Sequence, residues 1–199
     1  MYVYRMTEKR NYRLRKRAET KEETRQRIVE ASMQLHEELG PSLTTISAIA
    51  ERAGVQRLTV YRHFADETAI FQACTSHWLC LNPLPDPDKW MSISDGMERT
   101  RTALLAFYHY YRQTERMLTV SYRDEALVPA LQQPMEEVRT FMRSIKDGLM
   151  AALDNNPELA ITVQHALDFT TWKSLREQGL SDEKMVTLVC GWISASGRL

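Results

Sequence analysis

The strongest constraint on the fold is a stretch of fifteen residues, AERAGVQRLTVYRHF, which runs from Ala50 to Phe64. Apolar residues recur at helical spacing on both sides of Gly54, and glycine can turn a chain sharply at little steric cost. The stretch therefore predicts two short helices joined by a tight turn, the second over Gln56 to Phe64. Arg, Thr, Tyr and His occupy outer positions of that second helix, which leaves it a polar face.

The rest of the N-terminal third is also helical in pattern. Residues 22–39 predict a first helix, which a Gly-Pro pair stops. Thr44 is the predicted N-cap of the second helix, and Asp66 caps a fourth helix that ends near Leu81.

The segment NPLPDPDKW, Asn82 to Trp90, contains three prolines in nine residues and is the clearest break in the chain. No segment alternates polar and apolar residues as a half-buried strand does. The sequence therefore predicts an all-α fold. After the break, helices are expected over about 95–111, 116–122, 131–153, 157–178 and 181–194.

The formal net charge is zero, but its distribution is uneven. Residues 1–65 contain 13 Lys/Arg and 8 Asp/Glu, a balance of +5, whereas residues 66–199 have a balance of −5. A basic N-terminal third in an otherwise acidic chain favours contact with a polyanion through that third. We predict residues 1–20 as a basic disordered arm, for which DNA contact and plain solvation both remain open. Its basic residues include Arg10, Arg13, Arg15, Lys16 and Arg17.

Composition disfavours several classes of function. No run approaches the roughly 18 apolar residues of a membrane helix, and the charged N-terminus lacks the apolar core of a secretory signal. Three scattered cysteines indicate a reducing compartment, so we predict a cytoplasmic protein. No Ser–His–acid order, paired carboxylates or phosphate loop predicts an enzyme, and no cofactor is expected.

Two short helices around a glycine turn, the second of them polar, form the helix-turn-helix pattern. In that motif the first helix braces the second, which lies in the major groove where base edges differ. The runs TTISAIAERAGV, Thr44 to Val55, and TVYRHF, Thr59 to Phe64, resemble the tetracycline-repressor (TetR) family. The resemblance covers about residues 25–75; the remainder is similar in length and helix number alone.

The resemblance implies a homodimeric repressor that binds a palindromic operator in double-stranded DNA. It also implies a small-molecule effector, unidentified here, whose binding moves the fourth helix. We predict a helix-turn-helix DNA-binding domain over residues 21–66 and a larger helical effector-binding and dimerisation domain over residues 67–199, with residues 67–81 as connector. By position in the family motif, the residues facing DNA are Thr44, Ser47, Gln56, Arg57, Leu58, Thr59, Tyr61 and His63.

Several of these roles have alternatives. Arg57 could recognise guanine by donating two hydrogen bonds to its base edge, or could only contact a phosphate. Leu58 could contact a thymine methyl or push the helix outward. Tyr61 and His63 could instead pack at the edge of the core. Glu67 stands where the family usually has lysine, and its charge would repel phosphate, so no DNA contact is predicted there.

The predicted C-terminal domain is rich in aromatic and sulfur-containing side chains. At helical spacing such residues usually form core, yet as a set with tyrosine hydroxyls they could line a mostly apolar pocket. Such a pocket would take a hydrophobic or aromatic effector. The candidate lining residues are Phe107, Tyr108, Tyr111, Met117, Tyr122, Phe141, Met142 and Trp172.

The last two predicted helices are apolar on more than one side. One face can pack inside the subunit, and the other then needs a partner, so we predict a homodimer through these helices. The alternative is a broader core in a monomer.

Cys74, His77 and Cys80 follow one another at steps of three on the fourth helix. Zinc prefers four ligands, and a fourth is not evident nearby, so no metal site is predicted. A second hypothesis keeps the DNA-binding fold but replaces the small-molecule effector with a protein partner or thiol oxidation.

Overall fold

The computed structural model describes residues 2–153 and 156–197, and for residues 2–14 it describes the backbone alone. Within these ranges the chain forms α-helices, one 3₁₀ turn (Pro41–Leu43) and no β-strand, which confirms the predicted all-α fold. The α-helices are α1 (Tyr2–Leu39), α2 (Ile46–Arg52), α3 (Arg57–His63), α4 (Glu67–Leu81), α5 (Asp88–Met91), α6 (Gly96–Asp124), α7 (Pro129–Met150), α8 (Pro157–Leu167), α9 (Phe169–Glu177) and α10 (Asp182–Ser196).

The chain divides into two compact units, Met1–Leu81 and Asn82–Leu199. The division falls at the start of the proline-rich segment. Our expected C-terminal domain began at residue 67, but α4 belongs to the N-terminal unit. It does so because Ile70 lies in the same core as α1, and because Phe71 and Cys74 contact His36 of α1.

The first helix is much longer than predicted. α1 begins at Tyr2, not near residue 22, so a helix replaces the disordered arm predicted for residues 1–20 over all of it that the structure describes. Between Tyr2 and Leu39 there is no glycine or proline to stop the helix. An i,i+4 ion pair between Arg15 and Glu19, with Nε and Oε1 3.1 Å apart, supports it further. The side chains of Arg10 and Arg13 lie outside the described residues.

Apart from the short helix α5, which was not predicted, the C-terminal unit differs from the predictions mainly in two places. The expected helices over 95–111 and 116–122 are one helix, α6, because no helix breaker lies between them. The expected helix over 157–178 is instead divided at Asp168, which has an extended backbone (ψ 135°). Its carboxylate accepts a hydrogen bond from the Thr170 amide at 2.8 Å and so caps α9.

Candidate nucleic-acid interface

The core of the N-terminal unit fixes the angle between α2 and α3. Between the two helices, Gly54 has φ +64°, the left-handed conformation that glycine adopts without strain. The Val55 amide then donates to the Ala50 carbonyl at 2.9 Å and closes the turn. The core side chains, each at most 6% exposed, include Ile28, Leu35, Ile46, Ile49, Val60 and Phe64.

An ion pair fastens α2 to α1. The two terminal nitrogens of Arg52 donate to the two carboxylate oxygens of Glu38, at 2.9 and 2.8 Å. Both side chains are more than a third exposed, so solvent screens the pair and it adds little to stability. Its effect is mainly to orient α2.

The N-terminus of α2 differs from the prediction by one residue. Thr45, not Thr44, is the N-cap, and its hydroxyl accepts from the Ala48 amide at 3.1 Å. The Thr44 hydroxyl donates to the Gly40 carbonyl at 2.9 Å, because the preceding 3₁₀ turn brings that carbonyl within reach. Thr44 is half-buried, whereas Ser47 is exposed on α2.

The exposed face of α3 carries three of the eight predicted contact residues. Leu58 is 65% exposed and Tyr61 is 42% exposed. Arg57 lies beside Tyr61: its guanidinium carbon is 5.8 Å from the ring centroid and its Nη2 is 3.4 Å from the hydroxyl. Gln56 is exposed at the N-cap position, and its side chain makes no capping bond.

Thr59 and His63 lie on a different side of α3, where they face residues 16–24 of α1. Both are half-buried. The pKa of His63 is lowered, first by burial and then by the positive charges of Lys21 and Arg25, against a smaller opposing effect of Glu22. Neither side chain is fully buried in the core.

The sequence left DNA contact by the basic N-terminal segment open, but it did not predict that this segment is helical and lies beside α3. An open cleft of about 650 Å³ lies between α1 and α3. The spacing of the basic residues in α1 would have indicated that they share one face of a helix. The segment was predicted as a disordered arm, in which residues do not share a face. The lining residues are Lys16, Arg17, Thr20, Lys21, Thr24, Thr59 and His63.

Comparison with known proteins agrees with this geometry. The family model described as "Bacterial regulatory proteins, tetR family" matches residues 28–74, which include α2, α3 and the turn between them. The chain is 35% identical over 98 residues to the HTH-type transcriptional regulator TtgW of Pseudomonas putida, a match that covers 48% of this chain and 70% of TtgW. This chain belongs to the TetR family. It is therefore a member of a family of DNA-binding transcriptional regulators.

Two further relatives extend the comparison. The HTH-type transcriptional regulator SrpR of Pseudomonas putida is 37% identical over 98 residues, which span 48% of this chain but only 44% of SrpR. The solved structure of NalD, a secondary repressor of the MexAB-OprM multidrug efflux pump in Pseudomonas aeruginosa, has a TM-score of 0.57 at 19% identity. That alignment covers 89% of this chain and 96% of NalD, and it shows a shared TetR fold.

The candidate effector residues of this TetR-family chain are mostly core in the C-terminal unit. Phe107, Tyr108, Tyr111, Met117 and Trp172 are at most 8% exposed. Phe141 and Met142 are half-buried, while Tyr122 is 36% exposed and stacks on Phe169 at 5.3 Å. The rings contact one another across helices: Phe107 of α6 lies 6.3 Å from Phe141 of α7, and Tyr111 lies 5.9 Å from Trp172 of α9.

Two tyrosine hydroxyls in this cluster hold α6 against the end of α8. Tyr108 donates to the Ala166 carbonyl at 2.8 Å, and Tyr111 donates to the Leu167 carbonyl at 2.7 Å. These carbonyls belong to the last turn of α8, where the helix itself supplies no partner. Burial raises the pKa of both hydroxyls well above the ordinary tyrosine value, so both remain donors near neutral pH.

One buried donor in the same unit has no acceptor among the described residues. Trp90 is 0% exposed and packs 5.9 Å from Phe107, but its indole N–H makes no hydrogen bond there. Leaving such a donor unsatisfied costs about 1–3 kcal/mol.

The three spaced residues on α4 have different environments. Cys74 is 2% exposed, with Sγ 3.4 Å from His36 Nδ1, and burial raises its pKa to about 12. His77 lies 3.4 Å from Gln26, Nε2 to Nε2, and Cys80 is exposed. Among the described residues, no group of three or more His, Cys, Asp or Glu side chains could hold a metal ion.

Within the described part of the chain, no helix combines the length and the apolar character that crossing a membrane requires.

Proposed function

We propose that this protein is a transcriptional repressor that binds a palindromic operator as a homodimer and is released by a small hydrophobic or aromatic effector. The observation that supports it most is the exposed row of Arg57, Leu58 and Tyr61 on α3, held at a fixed angle by the helix-turn-helix core. A guanidinium, an apolar side chain and an aromatic ring exposed on one short helix can contact base edges in the major groove and the phosphates beside it. NalD, which has the same fold, is described as a repressor.

The proposed effector site is the aromatic cluster of the C-terminal unit. Its rings offer a mostly apolar lining, and the unsatisfied Trp90 donor beside Phe107 favours a molecule that also carries a hydrogen-bond acceptor. A ligand of this kind would separate Phe107 from the rings around it. Thiol control through Cys74 receives less support, because Cys74 is buried and its raised pKa keeps it in the unreactive thiol form.

The proposed dimer forms through α8 and α10, which pack against each other within the subunit. Each retains large apolar side chains on the outside: Ile161 of α8 is 70% exposed, and Leu188 and Trp192 of α10 are 40% and 36% exposed. The same surface on a second copy would cover these side chains, as in an isologous interface.

The first experiment is selection of binding sites from a pool of random duplexes. The purified protein should enrich one palindromic sequence whose half-sites are centred about 10 bp, or a multiple of that, apart. Retention of every sequence alike, with a steep loss of binding as salt rises, would contradict the proposed operator-binding function. Compounds that dissociate the selected complex would then identify the effector class.

Replacing Ile161 with glutamate tests the dimer. A charge at the centre of an apolar interface should convert the dimer to a monomer in sedimentation analysis and abolish retention on the palindrome. Leu127→Glu is the matched control, because Leu127 is also 70% exposed but lies between α6 and α7. A dimer that survives Ile161→Glu would contradict the proposed interface, whatever the outcome of the DNA selection.

A further inference from the structure

The short helix α5 contributes one fully buried side chain to the C-terminal unit. Trp90 is 0% exposed and its ring lies 5.9 Å from Phe107, whereas every other residue from 82 to 95 is at least partly exposed. The indole N–H of Trp90 nevertheless has no hydrogen-bond partner among the described residues. A buried donor without a partner marks a position at which an acceptor from outside the protein can bind.

Arg99 of α6 lies at the end of the turn that follows Trp90. The Ile93 amide donates to the Trp90 carbonyl at 3.0 Å, and Arg99 Nε donates to the Ile93 carbonyl at 2.8 Å. Arg99 Nη1 is 3.4 Å from the Gly148 carbonyl of α7, a long contact, and the side chain is half-buried. The guanidinium therefore lies where α5, α6 and α7 meet, one turn along the chain from the unsatisfied indole.

In the described part of the chain, no carboxylate forms an ion pair with Arg99, and its Nη2 makes no hydrogen bond. Two acidic residues in the adjoining segments are engaged elsewhere. Asp95 accepts from the Glu98 amide at 2.8 Å and caps α6, and Asp147 of α7 lies 3.0 Å from Lys146 Nζ. The group that best complements a half-buried guanidinium with free donors is a carboxylate, whose two oxygens match its planar fork.

A stripe of α6 leads from Arg99 to the aromatic cluster. Arg99, Ala103 and Phe107 recur at steps of four, so they share one side of the helix. Ala103 and Phe107 are 0% exposed, and Phe141 of α7 lies 6.3 Å from Phe107. Eight residues of helix separate Arg99 from Phe107 by about 12 Å. The stripe matches a molecule that has an acidic group at one end and an apolar ring at the other.

We infer that the effector is an aromatic carboxylic acid, whose carboxylate accepts hydrogen bonds from the Arg99 guanidinium and the Trp90 indole N–H while its ring lies against Phe107. The inference rests on the proposed function, because it names the chemical class of the proposed effector. Hydrogen bonds between a guanidinium and a carboxylate are charge-assisted, so this site distinguishes an acid from a neutral molecule of the same shape. A primary amide has that shape but offers one acceptor oxygen and no charge.

The test compares acids with their primary amides by isothermal titration calorimetry on the full-length protein without DNA. The probes are benzoate, naphthoate and biphenylcarboxylate, whose increasing lengths cover the distance from Arg99 to Phe107. At least one acid should bind roughly tenfold or more tightly than its amide, as expected of hydrogen bonds to a charged group. The same acid, at saturation, should dissociate the protein from its selected operator.

Three variants locate the preference for the acid. Arg99→Gln should abolish it, and Trp90→Phe, which keeps a ring but no donor, should reduce it. Arg101→Gln is the matched control, because Arg101 is also half-buried on α6 but lies toward Cys190 of α10; it should leave the preference unchanged. Thermal unfolding is measured for each variant. If Arg99 only fastens α5 in place, Arg99→Gln should lower the affinity for acid and amide equally, and this result would overturn the inference.

The other contradicting results are also distinct from failure of the proposed function. The inference is wrong if no acid binds more tightly than its amide, or if a bound acid leaves the operator complex intact. In either case a wild-type protein that selects a palindrome, and is released from it by other compounds, retains the proposed function. If the protein selects no palindrome, the proposed function itself fails, whatever the calorimetry shows.

Discussion

Replacing Arg57 with alanine is expected to weaken binding to the selected operator roughly 5- to 150-fold, with a much smaller loss on random duplex. Arg57 is exposed at the first turn of α3, where the N-terminal residues of a reading helix meet base edges. Its position over the Tyr61 ring restrains the side chain before DNA arrives, which lowers the entropy lost on binding. Competition binding with a fluorescent operator duplex measures both losses.

Two further variants separate base reading by Arg57 from simple phosphate contact. Arg57→Lys keeps the charge but loses the planar fork, so it should lose specificity almost as fully as alanine if Arg57 reads guanine. If Arg57 only holds a phosphate, lysine should restore most of the affinity. Arg62→Ala removes an exposed charge from the same helix and should weaken operator and random duplex to a similar extent. Equal losses for Arg57→Ala on both duplexes would contradict a reading role.

The helix-turn-helix was predictable because its determinants are local. Gly54 marks the turn, Asp66 caps α4 with its carboxylate 2.8 Å from the Ala69 amide, and the apolar positions repeat at helical spacing. The exposed residues of α3 follow directly, since a seven-residue helix held by buried Val60, with buried Phe64 just after its end, has few ways to orient its other side chains. Local pattern and tertiary structure agree in this segment.

The features that the sequence did not reveal depend on choices between competing local interactions. Thr44 and Thr45 are both good N-caps, and only the 3₁₀ turn before them decides which hydroxyl is occupied. Asp168 interrupts an apolar periodicity that would otherwise continue. The break is stabilised by hydrogen bonds from the hydroxyls of Tyr108 and Tyr111, on a helix far away in sequence. The charge of residues 1–20 suggested a solvated arm, although their composition also suits a helix.

The candidate effector residues illustrate a different limit. A stripe of aromatic residues at helical spacing is compatible with a packed core and with a ligand pocket, and the spacing is the same in both cases. Here the rings contact one another and the hydroxyls of Tyr108 and Tyr111 are satisfied internally. Side chains proposed to bind an effector therefore also hold the unit together, so that substitutions at these positions affect stability as well as binding.

Replacing Trp172 with alanine is accordingly expected to lower the free energy of unfolding by about 3–5 kcal/mol, the range for large aromatic side chains in a core. Trp172 is 0% exposed, lies 5.6 Å from Phe169 and 5.9 Å from Tyr111, and donates its indole N–H to Asp182 at 3.3 Å. Because a domain of this size is stable by only about 5–15 kcal/mol, a large fraction of its stability should be lost. Urea unfolding, followed by circular dichroism, measures the change.

The two contributions of Trp172 can be distinguished with conservative variants. Trp172→Phe keeps a ring but removes the donor to Asp182, and it should cost clearly less than alanine because most of the packing remains. Leu127→Ala, at a 70% exposed position, should change stability by no more than about 0.5 kcal/mol. A loss below about 1 kcal/mol for Trp172→Ala would mean that the cluster is loosely packed, which would favour a pocket at this position. A full loss for alanine, with folding retained by phenylalanine, makes Trp172→Phe the variant in which effector binding can be measured without loss of the fold.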